Sequence, residues 1–113
     1  MYTLYGISNC NTVKKAKDWL QENNIEFQFH DFRKQGLTVE LLESFEKSVG
    51  WEKLLNKQST SWRKLTDEQK QSVSKQSAMG CMLETPTLIK RPVLDTGEKM
   101  IVGFKAENYQ AEL

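Results

Sequence analysis

The sequence predicts an α/β fold: a mixed sheet made from an N-terminal βαβ unit and a C-terminal β-hairpin, closed by a terminal helix and interrupted by an α-helical insertion. Three observations carry this reading. A strand, helix, strand pattern occupies the first thirty or so residues, where parallel pairing is the default. Two short apolar runs around Asp95-Thr96-Gly97-Glu98 give a hairpin signal near the end. Between them lie helix-period stripes and caps, with little strand character.

Taken in order, Tyr2-Thr3-Leu4-Tyr5 is a short β-prone run that Gly6 ends. Residues 12–23 read as a helix, with Val13, Ala16 and Leu20 on one face and Trp19 beside them. Asn23-Asn24 is its stop signal. Ile25 to Phe32 is the second strand, with Phe27 and Phe29 on one face. Thr38 is an N-cap for a helix whose stripe is Leu41, Leu42, Phe45 and Val49, ended by Gly50. A short turn through Leu54 and Leu55 follows. Thr66-Asp67-Glu68-Gln69 has the spacing of a capping box and starts a surface helix expected to run to about Lys75. A further short helical piece is expected at Ala78–Leu83. The run Thr87–Leu94 contains Pro92, which would remove a ladder hydrogen bond from a central strand, so the strand is expected to begin after it. Val93-Leu94 and Met100-Ile101-Val102 are the hairpin strands, Gly103 breaks the second, and Ala106–Leu113 forms the last helix.

The chain has 113 residues, 38% hydrophobic and 27% charged, which suits one soluble domain. No apolar run reaches the ~18 residues of a membrane span, and MYTLYGISNC lacks a secretory pattern. Cytoplasmic residence and a monomer are the expectation. Sixteen Lys and Arg balance fifteen Asp and Glu, a charge pattern that points neither to nucleic acid nor to an anionic membrane. One His and two Cys cannot make a zinc site or a disulfide scaffold, so no bound metal is expected.

Cys10 lies between the first strand and the first helix. The partial positive charge of a first helical turn favours a thiolate over a thiol there, and Lys14, Lys15 and Lys17 add charge nearby. Read from the residues alone, Cys10 is either such a thiol or a small buried hydrophobe. Asn11, Thr12 and Val13 follow it, so there is no C-x-x-C, and a redox cycle needs another sulfur. Met79-Gly80-Cys81-Met82-Leu83 reads as the buried face of a helix, which makes Cys81 a packing residue. Arg63 and Arg91 carry the planar fork that binds carboxylates and oxyanions, although spacing alone suits surface charges. His30 reads as a structural histidine, and Trp19, Trp51 and Trp62 as packing anchors.

Five tracts together resemble the arsenate reductase-related family that includes ArsC, Spx and YffB, with YffB the nearest branch: LYGISNCNTVKKAKDWL, FHDFRKQGL, GWEKLLNKQSTSWRKL, TPTLIKRPVL and GFKAENY. The resemblance covers essentially the whole chain. It implies one domain over residues 1–113, with a thioredoxin-like core over about 1–35 and 86–113 and the helical insertion over about 36–85. It implies that Cys10 is the catalytic thiol and that Arg91-Pro92 is a cis-proline site facing it. Asn11, Thr12, Arg63, Arg91, Pro92 and Lys105 are the implied substrate-binding residues. Arg63 and Arg91 fall on two of the three arginine positions of arsenate reductase, and Lys105 stands near the third. Gly6-Ile7-Ser8 and Asn11-Thr12-Val13 replace the tripeptides that flank the arsenate reductase cysteine. The implied activity is therefore monothiol exchange on a disulfide or mixed disulfide, with glutathione as co-substrate and no bound cofactor. Arsenate reduction and a non-catalytic, Spx-like protein-binding role are the alternatives.

Overall fold

In the computed structural model, which describes residues 2–113, the chain folds as two units. One comprises the residues up to Gly36 together with Arg91–Leu113; the other is Leu37–Lys90.

The first unit is built on a four-stranded mixed sheet in the order β2-β1-β3-β4. Strand β1 (Tyr2–Gly6) pairs in parallel with β2 (Phe27–Asp31), Tyr2 opposite Phe27 and Gly6 opposite Asp31. The crossover is α1 (Asn11–Glu22), whose buried Val13, Ala16 and Leu20 are the stripe expected from the sequence. Asn23 caps it, and Asn24 takes a left-handed conformation (φ 57°), as Asn tolerates better than most residues. On the other side β1 pairs antiparallel with β3 (Val93–Asp95), and β3 with β4 (Met100–Val102). Strand β3 does begin after Pro92. Helix α7 (Ala106–Glu112) ends the chain.

One face of the sheet carries the core. Leu4 and Leu94 are opposite one another in the register and are fully buried with Val13, Ala16, Leu20 and Tyr109. Helices α1 and α7 thus share that face. Trp19 and Phe104 both meet the Tyr109 ring edge-on, at centroid distances of 5.4 and 4.8 Å. Gly6 has a separate role. A Cβ at this position would lie 2.8 Å from Cγ2 of Val13, so its hydrogen lets α1 approach the end of β1.

The second unit is helical. Helix α2 (Val39–Val49) starts at Thr38, whose hydroxyl accepts the Leu41 N–H, and ends at Gly50 with φ 86°. Where a turn was expected there is a one-turn helix, α3 (Trp51–Leu54). Ser59 caps a further short helix, α4 (Thr60–Arg63). Thr66 and Gln69 form the expected capping box, but α5 stops at Gln71 (Asp67–Gln71), short of Lys75. The reason is local: Ser74 and Ser77 form a second capping box that starts α6 (Lys75–Glu84), earlier than the Ala78 expected from hydrophobicity. Pro86–Leu88 is a 3-10 turn, and Ile89 makes a single antiparallel bridge to Leu55.

Candidate active site at one end of the sheet

The loop that carries Cys10 is closed by its own backbone. The Cys10 N–H donates to the Ile7 carbonyl at 3.3 Å, and the Cys10 carbonyl accepts the Lys14 N–H at 3.0 Å. Cys10 is therefore the N-cap of α1, in extended conformation (φ −101°, ψ 125°), and its side chain makes no capping hydrogen bond. It is a half-buried free thiol. Ile7 is buried and anchors the turn, while Ser8 and Asn9 are exposed.

The sheet register gathers further residues at this end. Gly6 opposes Asp31, Tyr5 opposes Val93, and Val93 opposes Val102. The Ile7–Cys10 turn, the Phe32–Gly36 segment, Arg91-Pro92 and Gly103–Lys105 therefore leave the strands at one end. The Gly103 N–H donates to the Pro92 carbonyl at 2.8 Å and ties two of these segments together. Pro92 is buried, and the Arg91–Pro92 peptide bond is cis. Arg91 is half-buried, and its Nε is buried with no hydrogen-bond partner among the described residues. Lys105 is the exposed N-cap of α7, Asn11 is exposed, and Thr12 is half-buried.

The ArsC family model matches residues 5–112. The chain belongs to the ArsC family. It is 47% identical over 111 residues to an uncharacterized protein of Haemophilus influenzae, covering 98% of this chain and 97% of that one. It is similar to a solved YffB protein structure (TM-score 0.92, 42% identity, covering 100% of this chain and 99% of that one). It is also similar to the solution structure of an arsenate reductase-related protein of Brucella melitensis (TM-score 0.84, 46% identity, covering 98% and 92%). The fold of this ArsC-family chain is thioredoxin-like.

Among the other residues singled out from the sequence, Arg63 is the last residue of α4 in the helical unit and is exposed. Cys81, on α6 of the same unit, is half-buried, not part of a fully buried face. Ala78 and Met82 take the buried positions, and Cys81 lines a cavity of ≈ 180 Å³ with Trp62, Leu65 and Leu88. A larger concavity of ≈ 560 Å³, between α2 and α6, is lined by Val39, Leu42, Met79 and Leu83 and contains none of the candidate site residues. Lys17 places its ammonium over the Phe29 ring at 3.6 Å, so that charge is engaged on the sheet. His30 Nε2 lies 2.8 Å from the Gly36 carbonyl, a structural contact. Among the described residues no cluster of three or more His, Cys, Asp or Glu is arranged to hold a metal, and no helix is long and apolar enough to cross a membrane.

The residue that sequence reasoning missed is Asp31, a buried carboxylate at the end of β2. One oxygen accepts the N–H groups of Arg33 (2.8 Å) and Lys34 (3.4 Å), and the other accepts the Ser8 N–H at 3.2 Å. Burial pushes its carboxyl up, but the hydrogen bonds from Arg33, Ser8 and Lys34 together outweigh that, and it is held below the ordinary aspartate value. Its local half is visible in the sequence as an Asp two residues before Arg33, the spacing of an Asx turn.

Proposed function

We propose that this chain is a glutathione-dependent monothiol reductase. The observation that supports this most directly is Arg91: a buried Nε donor with no hydrogen-bond partner among the described residues, next to the buried Pro92, at the sheet end that carries Cys10. A donor so placed suits a carboxylate, and glutathione carries two. In the first step the Cys10 thiolate attacks the glutathione sulfur of a mixed disulfide. The old S–S bond breaks, and the released thiolate takes a proton from water. In the second, the thiolate of a free glutathione attacks the glutathione sulfur bound to Cys10, giving glutathione disulfide and restoring the Cys10 thiolate. Across the two steps, the free glutathione sulfur passes from thiol to disulfide as the substrate sulfur passes from disulfide to thiol, and the glutathionyl sulfur of the mixed disulfide stays a disulfide sulfur throughout. The absence of a C-x-x-C at Cys10 suits an external resolving thiol. Arg91 and Lys105, with Arg63 as a further candidate, are the proposed carboxylate holders, and Asn11, Thr12 and Pro92 complete the binding surface. The activity suits a monomer in a reducing compartment such as the cytoplasm.

The test is mass spectrometry of the protein after incubation with oxidised glutathione. The expected result is one glutathione on Cys10, none on Cys81, and no adduct in a folded Cys10→Ser variant. No adduct at Cys10 in the unaltered protein overturns the proposal. Arsenate reduction is the second reading, because the family includes arsenate reductases; Lys105 discriminates it, as argued in the Discussion.

A further inference from the structure

Asp31 is the one charged side chain among the described residues that is buried, at 3% exposure. Burying a carboxylate is unfavourable unless its oxygens are hydrogen-bonded, so what it holds identifies what it does. One oxygen closes the local turn after β2, through Arg33 and Lys34. That turn is locked a second time by Gln35, whose side-chain oxygen accepts the Asp31 N–H at 2.9 Å while its own N–H donates to the Asp31 carbonyl at 2.8 Å. The turn does not need the second oxygen. That oxygen reaches across to Ser8, 23 positions away in the chain and two residues before Cys10. Ser8 itself is exposed as a residue, and the partner of its amide is this carboxylate. The Ile7–Cys10 backbone hydrogen bond spans the same turn.

We infer that Asp31 is a positioning residue: its carboxylate pins the Ile7–Cys10 turn to the end of β2 and thereby fixes where the Cys10 sulfur is presented for attack. This rests on the reading of Cys10 as the nucleophile. Thiol exchange needs the sulfur in line with the disulfide it attacks, and small misplacements cost rate steeply. Asp31→Asn is isosteric. It can keep an acceptor for Arg33 while turning an NH₂ group toward the Ser8 N–H, so it removes the acceptor for that amide and spares the local turn, while Asp31→Ala removes the Ser8 contact altogether.

The experiment compares the unaltered protein, Asp31→Asn and Asp31→Ala. Each is alkylated with iodoacetamide at pH 7, with Cys10 and Cys81 followed separately by mass spectrometry, and mixed-disulfide formation with oxidised glutathione is measured in parallel. In both variants the Cys10 rates are expected to fall about tenfold, with Cys81 as the unaffected internal control. A Cys10 rate that is unchanged or raised, or a Cys81 rate that falls in step, overturns the inference; the raised rate would mean that only the negative charge matters. In the unaltered protein, the Ser8 amide should exchange with solvent far more slowly than the Asn9 amide, and an unprotected Ser8 overturns the inference even if neither variant folds. A wild-type Cys10 that is alkylated but takes no glutathione refutes the reductase reading, while the alkylation comparison still decides the role of Asp31.

Discussion

Arsenate is a compact oxyanion and needs several convergent donors to be held for attack by a cysteine sulfur. At the sheet end that carries Cys10 the chain offers Arg91 and the exposed ammonium of Lys105, a point charge where a planar fork would bind two oxygens. Losing one such bidentate contact costs about 1.5–3 kcal/mol, or roughly ten- to a hundredfold in affinity. As the proposed co-substrate, glutathione has two carboxylates and a peptide backbone to bind through and would tolerate the change. Glutathione-dependent disulfide reduction should therefore be measurable and arsenate reduction weak, and Lys105→Arg should tighten arsenate binding only by the low end of that range, about tenfold, because Asn11-Thr12-Val13 still follows the cysteine. Efficient arsenate turnover by the unaltered protein, lost with Arg63→Ala or Arg91→Ala, would reverse this ranking. At this scale the sequence showed Cys10 through its place between a strand and a helix, and Pro92 through its conflict with a continuous strand. Asp31 was not legible, because the contact that matters joins residues 23 positions apart and no local pattern encodes it. Cys81 was read as buried because its neighbours are apolar, but the helix turns Ala78 and Met82 inward and leaves Cys81 beside a cavity.

At the scale of the element, chemistry at the chain's turning points was more readable than hydrophobicity. The Thr38 and Thr66 caps, the Asn23 stop and the Gly50 stop all stand where the side chains call for them. The boundary between α5 and α6 is misplaced in the sequence reading because Ser74 and Ser77 cap each other and start α6 at Lys75, ahead of its first apolar residue, Ala78. The crossover α1 depends on a contact that no propensity reports, the approach of Val13 to Gly6. Val13 is 1% exposed, and its methyl group would lie 2.8 Å from an added Cβ, with packed neighbours behind it. Gly6→Ala should therefore destabilise the protein by about 1–3 kcal/mol, the range for overpacking a filled core. Val13→Ala makes room at the same place. In urea denaturation the double variant should lose less than the sum of the two single losses, by more than the ~0.5 kcal/mol scatter of independent sites. Strict additivity would show that the two positions are not coupled.

Over the whole chain, the described residues up to Gly36 and the last twenty-three meet in one core, and Tyr109 is one of the residues that join them, beside the pairing of β1 with β3. It comes from α7, lies against β1, α1 and β3 side chains, and is fully buried between the edges of Trp19 and Phe104. The sequence indicated the terminal helix but not this burial, because Ala106–Glu112 carries a single large apolar ring and no periodic stripe. The Tyr109 hydroxyl is buried and has no hydrogen-bond partner among the described residues. A buried donor without a partner carries an uncompensated desolvation cost, so Tyr109→Phe should keep the fold and stabilise it by about 1 kcal/mol at neutral pH. Burial also raises the phenol well above the ordinary tyrosine value of 10.0. In the unfolded chain the phenol ionises near that ordinary value, while in the folded chain it stays protonated. Its contribution to stability is thus fully present below pH 10 and is lost as the pH rises above it, because the unfolded state releases the proton first. The phenylalanine variant lacks that loss. Urea denaturation at pH 8 and above pH 10 should therefore show the variant's advantage growing with pH. An advantage independent of pH would mean that the hydroxyl reaches solvent, and that the core joining the two ends of the chain is looser than its packing indicates.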